Sequence, residues 1–134
     1  MSPTFLELAH VVDIHRDQIA RYGGAPGIRD QGLLESAVAV PQSGMGGEYF
    51  HCDLYEMAAA YLFHIVRNHP FVDGNKRVGA LAGFVFLRTN GIDVRATEGA
   101  FERLVLAVAS GAADKTRIAD FFREHSRSQR PRSG

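Results

Sequence analysis

Residues Val78–Leu87, with the sequence VGALAGFVFL, decide the fold, because every one of them is apolar or small. A helix that is apolar on all sides has to be covered by other helices, so it is expected near the centre of a bundle. Asn90-Gly91 follows this run and ends the helix, since glycine readily adopts the left-handed conformation found after a helix C-terminus. The run therefore predicts a buried helix with neighbours around it.

Outward from this run, apolar residues recur at three- and four-residue spacings, which is typical of helices with one buried face. Ile92–Val94 is expected to be a short extended piece. The predicted helical segments are residues 4–21, a short helix that Asp30 begins and Pro41 ends, a helix from Asp53 to about Asn68, and two helices capped by Thr97 and Asp114. We expect an all-α bundle of about six helices.

Composition limits both the domain count and the class of protein. The chain has 134 residues, 46% of them hydrophobic and 22% charged, which suits one domain with its own core. Lys plus Arg and Asp plus Glu number 15 each, and this zero net charge argues against direct binding of nucleic acid. Cys52 is the sole cysteine, so an intrachain disulfide and a thiolate metal cluster are excluded.

The two ends of the chain bear on location and on domain boundaries. The N-terminus does not have the pattern of a signal peptide, and no apolar run approaches the ~20 residues of a membrane span. We therefore expect a cytoplasmic protein without membrane contact. Residues 126–134, SRSQRPRSG, carry no apolar side chain, so 1–125 is assigned to one domain and 126–134 is predicted to be a disordered basic tail.

The segment HPFVDGNKR at residues 69–77 joins the helix that ends near Asn68 to the apolar helix. Lys76 and Arg77 stand at a helix N-terminus, where the helix dipole is already positive and each cation costs roughly 0.3–1 kcal/mol. An anion bound by free main-chain N–H groups and these two side chains would offset that cost. Gly74 would let the main chain approach such a ligand, and Asn75 could cap the helix or contact the ligand.

The same segment also supplies a base and a carboxylate. Pro70 forces His69 off the preceding helix, and an imidazole, which ionises near neutral pH, suits proton abstraction. Asp73 is a single hard oxygen ligand, as is typical of Mg²⁺ held mainly by nucleotide phosphates and water. Together these groups predict transfer of a group to a hydroxyl, although an ordinary surface turn remains the alternative. The segment is not a Walker A loop, since it lacks the earlier glycine and the Ser/Thr after the lysine.

The segment HPFVDGNKR resembles the signature of the Fic/Doc superfamily, in its death-on-curing branch. Three further stretches are similar to that branch: RYGGAPGIRD at residues 21–30, LLESAVAVPQ at 33–42 and FLRTNG at 86–91. The resemblance extends over roughly Phe5 to Phe122. It implies the compact Fic/Doc-type helical fold, in agreement with the helices predicted from periodicity.

The resemblance also implies a role for each matching residue. His69 would take the proton from a target hydroxyl, and Asp73 would hold Mg²⁺. Pro70 and Phe71 would be structural, with Phe71 packing the loop into the core. The residues implied to bind the nucleotide phosphates are Gly74, Asn75, Lys76 and Arg77.

Lys76 bears on which group is transferred. Most Fic proteins have glycine there and transfer a nucleotidyl group to protein hydroxyls, whereas the death-on-curing branch has lysine and resembles a kinase. The resemblance thus implies a toxin that moves the γ-phosphate of ATP to a Thr or Ser hydroxyl, on elongation factor Tu, and arrests translation. The alternatives are nucleotidyl transfer by the same loop and a non-catalytic module that binds a partner.

A self-inhibitory helix of the form [ST]xxxE[GN], present in many Fic enzymes, is missing from the sequence. Glu98-Gly99 is the only Glu followed by Gly or Asn, and Val94 stands where Ser or Thr is needed. A toxic enzyme without its own inhibitor needs one in trans. The resemblance implies a small antitoxin whose disordered segment folds onto the toxin.

The remaining histidines and two loop arginines are further candidates for functional residues. The six histidines form no HExxH or HD pattern, which argues against a zinc hydrolase. His15 and His64 are expected to be packed rather than catalytic. Arg21 and Arg29 flank a glycine-containing loop, where each either touches substrate or stays in solvent.

Overall fold

The computed structural model of the protein describes residues 2–128 and confirms the predicted helical bundle of six helices. No helix in this range is both long enough and apolar enough to span a bilayer. The helices are α1 Leu8–Tyr22, α2 Gln31–Ala39, α3 Leu54–Asn68, α4 Asn75–Thr89, α5 Glu98–Ser110 and α6 Lys115–Glu124. Val40–Gln42 is a 3₁₀ turn, and the strands are β1 Gly44–Met45, β2 Glu48–Tyr49, β3 Ile92–Val94 and β4 Ser126–Ser128.

Four helices begin at the capping residues that the sequence predicts. The side chains of Asp30, Asp53, Thr97 and Asp114 each accept a hydrogen bond from the main-chain N–H three residues further on. Such a cap contributes about 1 kcal/mol to stability. These interactions begin α2, α3, α5 and α6.

Helix α1 begins at Leu8, four residues later than Thr4, where the apolar spacing begins. The main-chain N–H of Glu7 donates a hydrogen bond to His10 Nδ1 at 2.9 Å. This local interaction provides a helix start, whereas Thr4 donates its main-chain N–H to Asn90 at the far end of α4. The segment before Leu8 is therefore not helical.

Helix α3 is the most completely buried helix of the described range, and α4 packs closely against it. A Cβ atom at Gly79 would lie 2.7 Å from Val66 Cγ2, and one at Gly83 would lie 3.2 Å from the Ala58 carbonyl oxygen. These close approaches pair later residues of α4 with earlier residues of α3, so the two helices run antiparallel. The opposite face of α4, which includes Leu81, is only half-buried. The apolar run is therefore covered on one side rather than all round.

The start of the predicted tail differs from expectation. Ser126–Ser128 forms β4 and pairs antiparallel with β3, with Val94 opposite Ser126 and Ile92 opposite Ser128. A strand edge offers main-chain donors and acceptors whose pairing needs no apolar side chains, so composition alone misses it. The rest of the tail prediction, 129–134, lies outside the described residues.

A cluster of two histidines and a lysine joins α3, α6 and the loop before α3. Lys115 Nζ lies 3.1 Å from His64 Nε2 and 3.4 Å from His51 Nε2. Burial, assisted by the charge of Lys115, lowers the pKa of His64 to about 4. Because an ammonium group only donates hydrogen bonds, both imidazoles act as neutral acceptors. His64 is thus packed, as the sequence predicts.

Replacement of His64 by Gln is expected to reduce the acid sensitivity of the protein. Between pH 6.5 and pH 4 the unfolded chain binds a proton at His64 that the folded chain does not, so the free energy of unfolding falls as the pH drops through this window. Thermal melting at pH 7.5 and at pH 5 measures the effect. His64→Gln should lose less of its melting temperature at pH 5 than the unmodified protein, and an equal loss would contradict the assignment.

Candidate active site

His69 ends α3 in a left-handed conformation, with φ of 52° and ψ of 53°. Within residues 2–128 it is the only non-glycine residue with a positive φ. Such a conformation costs roughly 1–2 kcal/mol for a residue with a Cβ atom. The following Pro70 is buried, whereas the His69 side chain is exposed. The imidazole therefore stands outside the helix and is accessible to a substrate.

The loop that precedes α2 holds the motif segment by main-chain hydrogen bonds. The N–H groups of Arg29 and Asp30 both donate to the Pro70 carbonyl, at 2.7 and 3.0 Å. The N–H of Val72 donates to the Gly27 carbonyl at 3.0 Å. The stretch RYGGAPGIRD at residues 21–30 thus packs against the motif and holds its main chain in place.

Asn75 fixes the motif loop from inside. Its Oδ1 accepts a hydrogen bond from the Phe71 N–H at 2.9 Å, and its Nδ2 donates to the Phe71 carbonyl at 3.0 Å. The Asn75 side chain is only 5% exposed. The side-chain amide that the sequence predicts to contact a phosphate is thus engaged within the loop, and its main-chain N–H is the group left for that contact.

Phe71 and His15 connect the motif to α1. Phe71 is fully buried, and its ring stacks on the His15 ring with a centroid separation of 3.9 Å and an interplanar angle of 5°. His15 Nε2 lies 3.0 Å from the Asp73 carbonyl oxygen. His15 is thus a packed histidine, as expected, and it also supports the turn that carries Asp73.

The carboxylate of Asp73 is exposed and already oriented. Its Oδ2 accepts a hydrogen bond from the Ala25 N–H at 3.2 Å, and its Oδ1 accepts one from the Gly74 N–H at 2.8 Å. These two bonds, Ala25 first, lower the pKa of Asp73 below its ordinary value. The group is therefore ionised at neutral pH, and each oxygen retains a lone pair. An exposed anionic oxygen ligand of this kind fits Mg²⁺.

The N-terminus of α4 has Gly74 as its first flanking residue and has no side-chain cap. Lys76 is exposed and has no hydrogen-bond or ion-pair partner in the described part of the chain. Arg77 donates to the carbonyls of Gly23 at 3.0 Å and Gln18 at 3.4 Å. Lys76 is therefore available to an anion, whereas Arg77 is partly engaged in holding the end of α1.

The family model described as Fic/DOC family matches residues 5–87. The chain belongs to the Fic/DOC family. Over 113 residues it is 34% identical to "Protein kinase doc" of Escherichia phage P1, covering 84% of this chain and 88% of the phage protein. Over 75 residues it is 44% identical to "Toxin Doc" of Mycolicibacterium smegmatis, covering 56% of this chain and 58% of that toxin. These similarities confirm the resemblance to the death-on-curing branch.

The structure of this Fic/DOC chain adds site residues whose part sequence reasoning missed. Arg29 donates from its side chain to the carbonyls of Asn68 and His69. His15 contacts the Phe71 ring and the Asp73 carbonyl. The only sequence signal for Arg29 was its place beside a glycine-containing loop, and for His15 its place on the apolar face of α1.

Replacement of Asn75 by Ala is expected to lower the free energy of unfolding by about 2–4 kcal/mol, because the buried N–H and carbonyl of Phe71 both lose their partner. Urea denaturation measures the change. Lys76→Ala provides the control, since an exposed side chain without partners alters stability by at most about 0.5 kcal/mol. Equal stability of the two variants would show that the Asn75 contacts are not structural.

Proposed function

We propose that the chain is a Doc-type toxin of a toxin–antitoxin system that phosphorylates a protein Thr or Ser hydroxyl, with ATP as the phosphate donor. The target would be elongation factor Tu, and its modification would arrest translation. The observation that carries the proposal is the exposed His69 on the same short loop as the ionised Asp73 and the uncapped start of α4. The name of the phage relative, "Protein kinase doc", supports the same reaction class.

In the proposed reaction His69 acts as the general base. It accepts the proton of the target hydroxyl while that oxygen attacks the γ-phosphorus of ATP. The bond from the γ-phosphorus to the oxygen that bridges it to the β-phosphate breaks, and ADP leaves. The products are the phosphorylated side chain, ADP and a protonated imidazole, which returns its proton to solvent.

The remaining motif residues would bind the phosphates. The N–H groups at the start of α4 and the Lys76 ammonium, which have no partner among residues 2–128, provide positive charge for them. Asp73 would hold Mg²⁺, which when bound neutralises charge on the phosphate oxygens. Arg77 retains three of its five N–H donors beyond the two bonds to α1, so it can contribute without leaving its place.

Nucleotidyl transfer by the same loop is the second candidate, since many members of the family perform it. The Lys76 side chain favours the kinase, because it adds bulk and charge beside the phosphate site where those members have glycine. A silent binding module is disfavoured because the exposed His69 imidazole makes no hydrogen bond, ion pair or ring contact among residues 2–128 that would give it a structural role.

The α1–α4 groove is proposed as the place where an antitoxin segment covers the toxin. It has a volume of about 450 Å³ and is lined by Ile14, Tyr22, Leu81 and Val85 together with polar residues of α1. Tyr22 is 70% exposed, and Leu81 and Val85 are only half-buried in the described part of the chain. An amphipathic segment that becomes helical in the groove would bury these side chains.

Transfer of label from ATP tests the reaction. Purified protein, Mg²⁺ and elongation factor Tu are incubated with ATP labelled on either the α- or the γ-phosphate, and label in protein is measured. We expect label from the γ-phosphate only, and none with His69→Ala, whose circular dichroism should match that of the unmodified protein. Label from the α-phosphate would establish nucleotidyl transfer instead, and activity of His69→Ala would exclude this residue as the base.

Leu81→Glu tests the groove. A carboxylate on this half-buried position should weaken binding of the co-encoded antitoxin at least tenfold, while toxicity without antitoxin is retained. Titration of the purified pair measures affinity. Leu106→Glu is the matched control, because Leu106 on α5 is 48% exposed and lies outside the groove. Equal affinity of both variants would contradict the proposed binding place.

A further inference from the structure

Arg29 holds the end of α3 with a two-point contact. Its Nε donates to the His69 carbonyl at 2.7 Å, and its Nη2 donates to the Asn68 carbonyl at 3.0 Å. The planar guanidinium suits two parallel bonds to neighbouring oxygens, which a lysine cannot reproduce. We propose that Arg29 is a positioning residue, which fixes the main chain of His69 and thereby aims its imidazole at the target hydroxyl. This inference rests on the proposed role of His69 as the base.

The main chain at His69 needs such support. The last carbonyls of a helix lack partners within the helix, and a positive charge at this end is favourable. The left-handed conformation of His69 is unfavourable for a residue with a Cβ atom, and the other positive φ values among residues 2–128 all belong to glycines. The Asn68 carbonyl precedes the φ rotation of His69, and the His69 carbonyl follows its ψ rotation. Because Arg29 binds both carbonyls, it holds that conformation in place.

The main chain of Arg29, from which its side chain extends to α3, is itself held in place. The main-chain N–H groups of Arg29 and Asp30 donate to the Pro70 carbonyl, so Arg29 contacts three consecutive residues, 68–70, through its side chain and main chain. Asp30 caps α2 through the Leu33 N–H at 2.9 Å. Arg29 is therefore anchored to the first turn of a helix, and not to a free loop.

The orientation of the His69 imidazole depends on the hydrogen bonds from Arg29 to the main chain. Within residues 2–128 the His69 side chain makes no hydrogen bond and no ring contact, so neither kind of interaction orients it. A base displaced by about 1 Å loses on the order of a hundredfold in rate. Arg29 is assigned no contact with substrate, so loss of its side chain should affect the chemical step more than nucleotide binding.

The test compares Arg29→Ala, Arg29→Lys and the control Arg16→Ala in the label-transfer reaction. Arg16 is exposed on α1 and pairs only with Asp13 in the described residues. We expect kcat of Arg29→Ala to fall ten- to a hundredfold with KM for ATP changed less than about twofold. Arg29→Lys should recover only part of the loss, because an ammonium lacks the planar fork. Arg16→Ala should retain full activity.

A second measurement keeps the inference independent of the reaction. The ¹³Cα and ¹³Cβ chemical shifts of His69 report its left-handed conformation, and in Arg29→Ala they should move toward the unstructured values while those of the α5 residues stay constant. Unchanged His69 shifts, or unchanged kcat, would overturn the inference. A loss of kcat accompanied by shift changes throughout the protein would indicate a merely structural role and would overturn it as well. Transfer by His69→Ala would instead exclude His69 as the base, a result separate from the shift measurement.

Discussion

The reversal of the chain between α3 and α4 is the constraint on which the rest of the structure depends. Six residues, 69–74, separate the last residue of one helix from the first residue of the next, and both ends of this turn are left-handed. Pro70 prevents α3 from continuing, and the hydrogen bonds of Asn75 to Phe71 close the turn on itself. The antiparallel packing of α3 and α4 in the core requires such a tight turn between them. His69 lies exposed at the beginning of this turn.

Much of the fold could be predicted because the helix signals are local. The hydrogen bond from a main-chain N–H to the side chain of an Asp or Thr three residues earlier lies within one turn, and four helices begin in this way. The misjudged parts depend on contacts between distant residues. β4 forms by pairing with the edge of β3. The half-buried face of α4 depends on how many other helices pack against it.

The candidate site also combines features with a local sequence signal and features that depend on contacts between distant residues. His69 and Asp73 were recognisable because proline, glycine and charge in nine consecutive residues already conflict with an ordinary helix connection. Two of the bonds that hold them come from 40 or more residues away, from Arg29 to His69 and from Ala25 to Asp73. The amide of Asn75 could have capped a helix, bound an anion or bonded to its neighbours, and only the folded loop decides among these.

The close crossing of α3 and α4 also restricts how this chain can diverge. With a Cβ atom at Gly79 only 2.7 Å from Val66, neither helix can gain volume at that point unless the other loses it. A smaller residue at 66 would relieve only part of this restriction, because the Leu62 carbonyl oxygen lies 3.1 Å from the same Cβ position. Substitutions at this crossing are therefore restricted by both helices, whereas the half-buried side chains on the opposite face of α4 are not subject to this restriction.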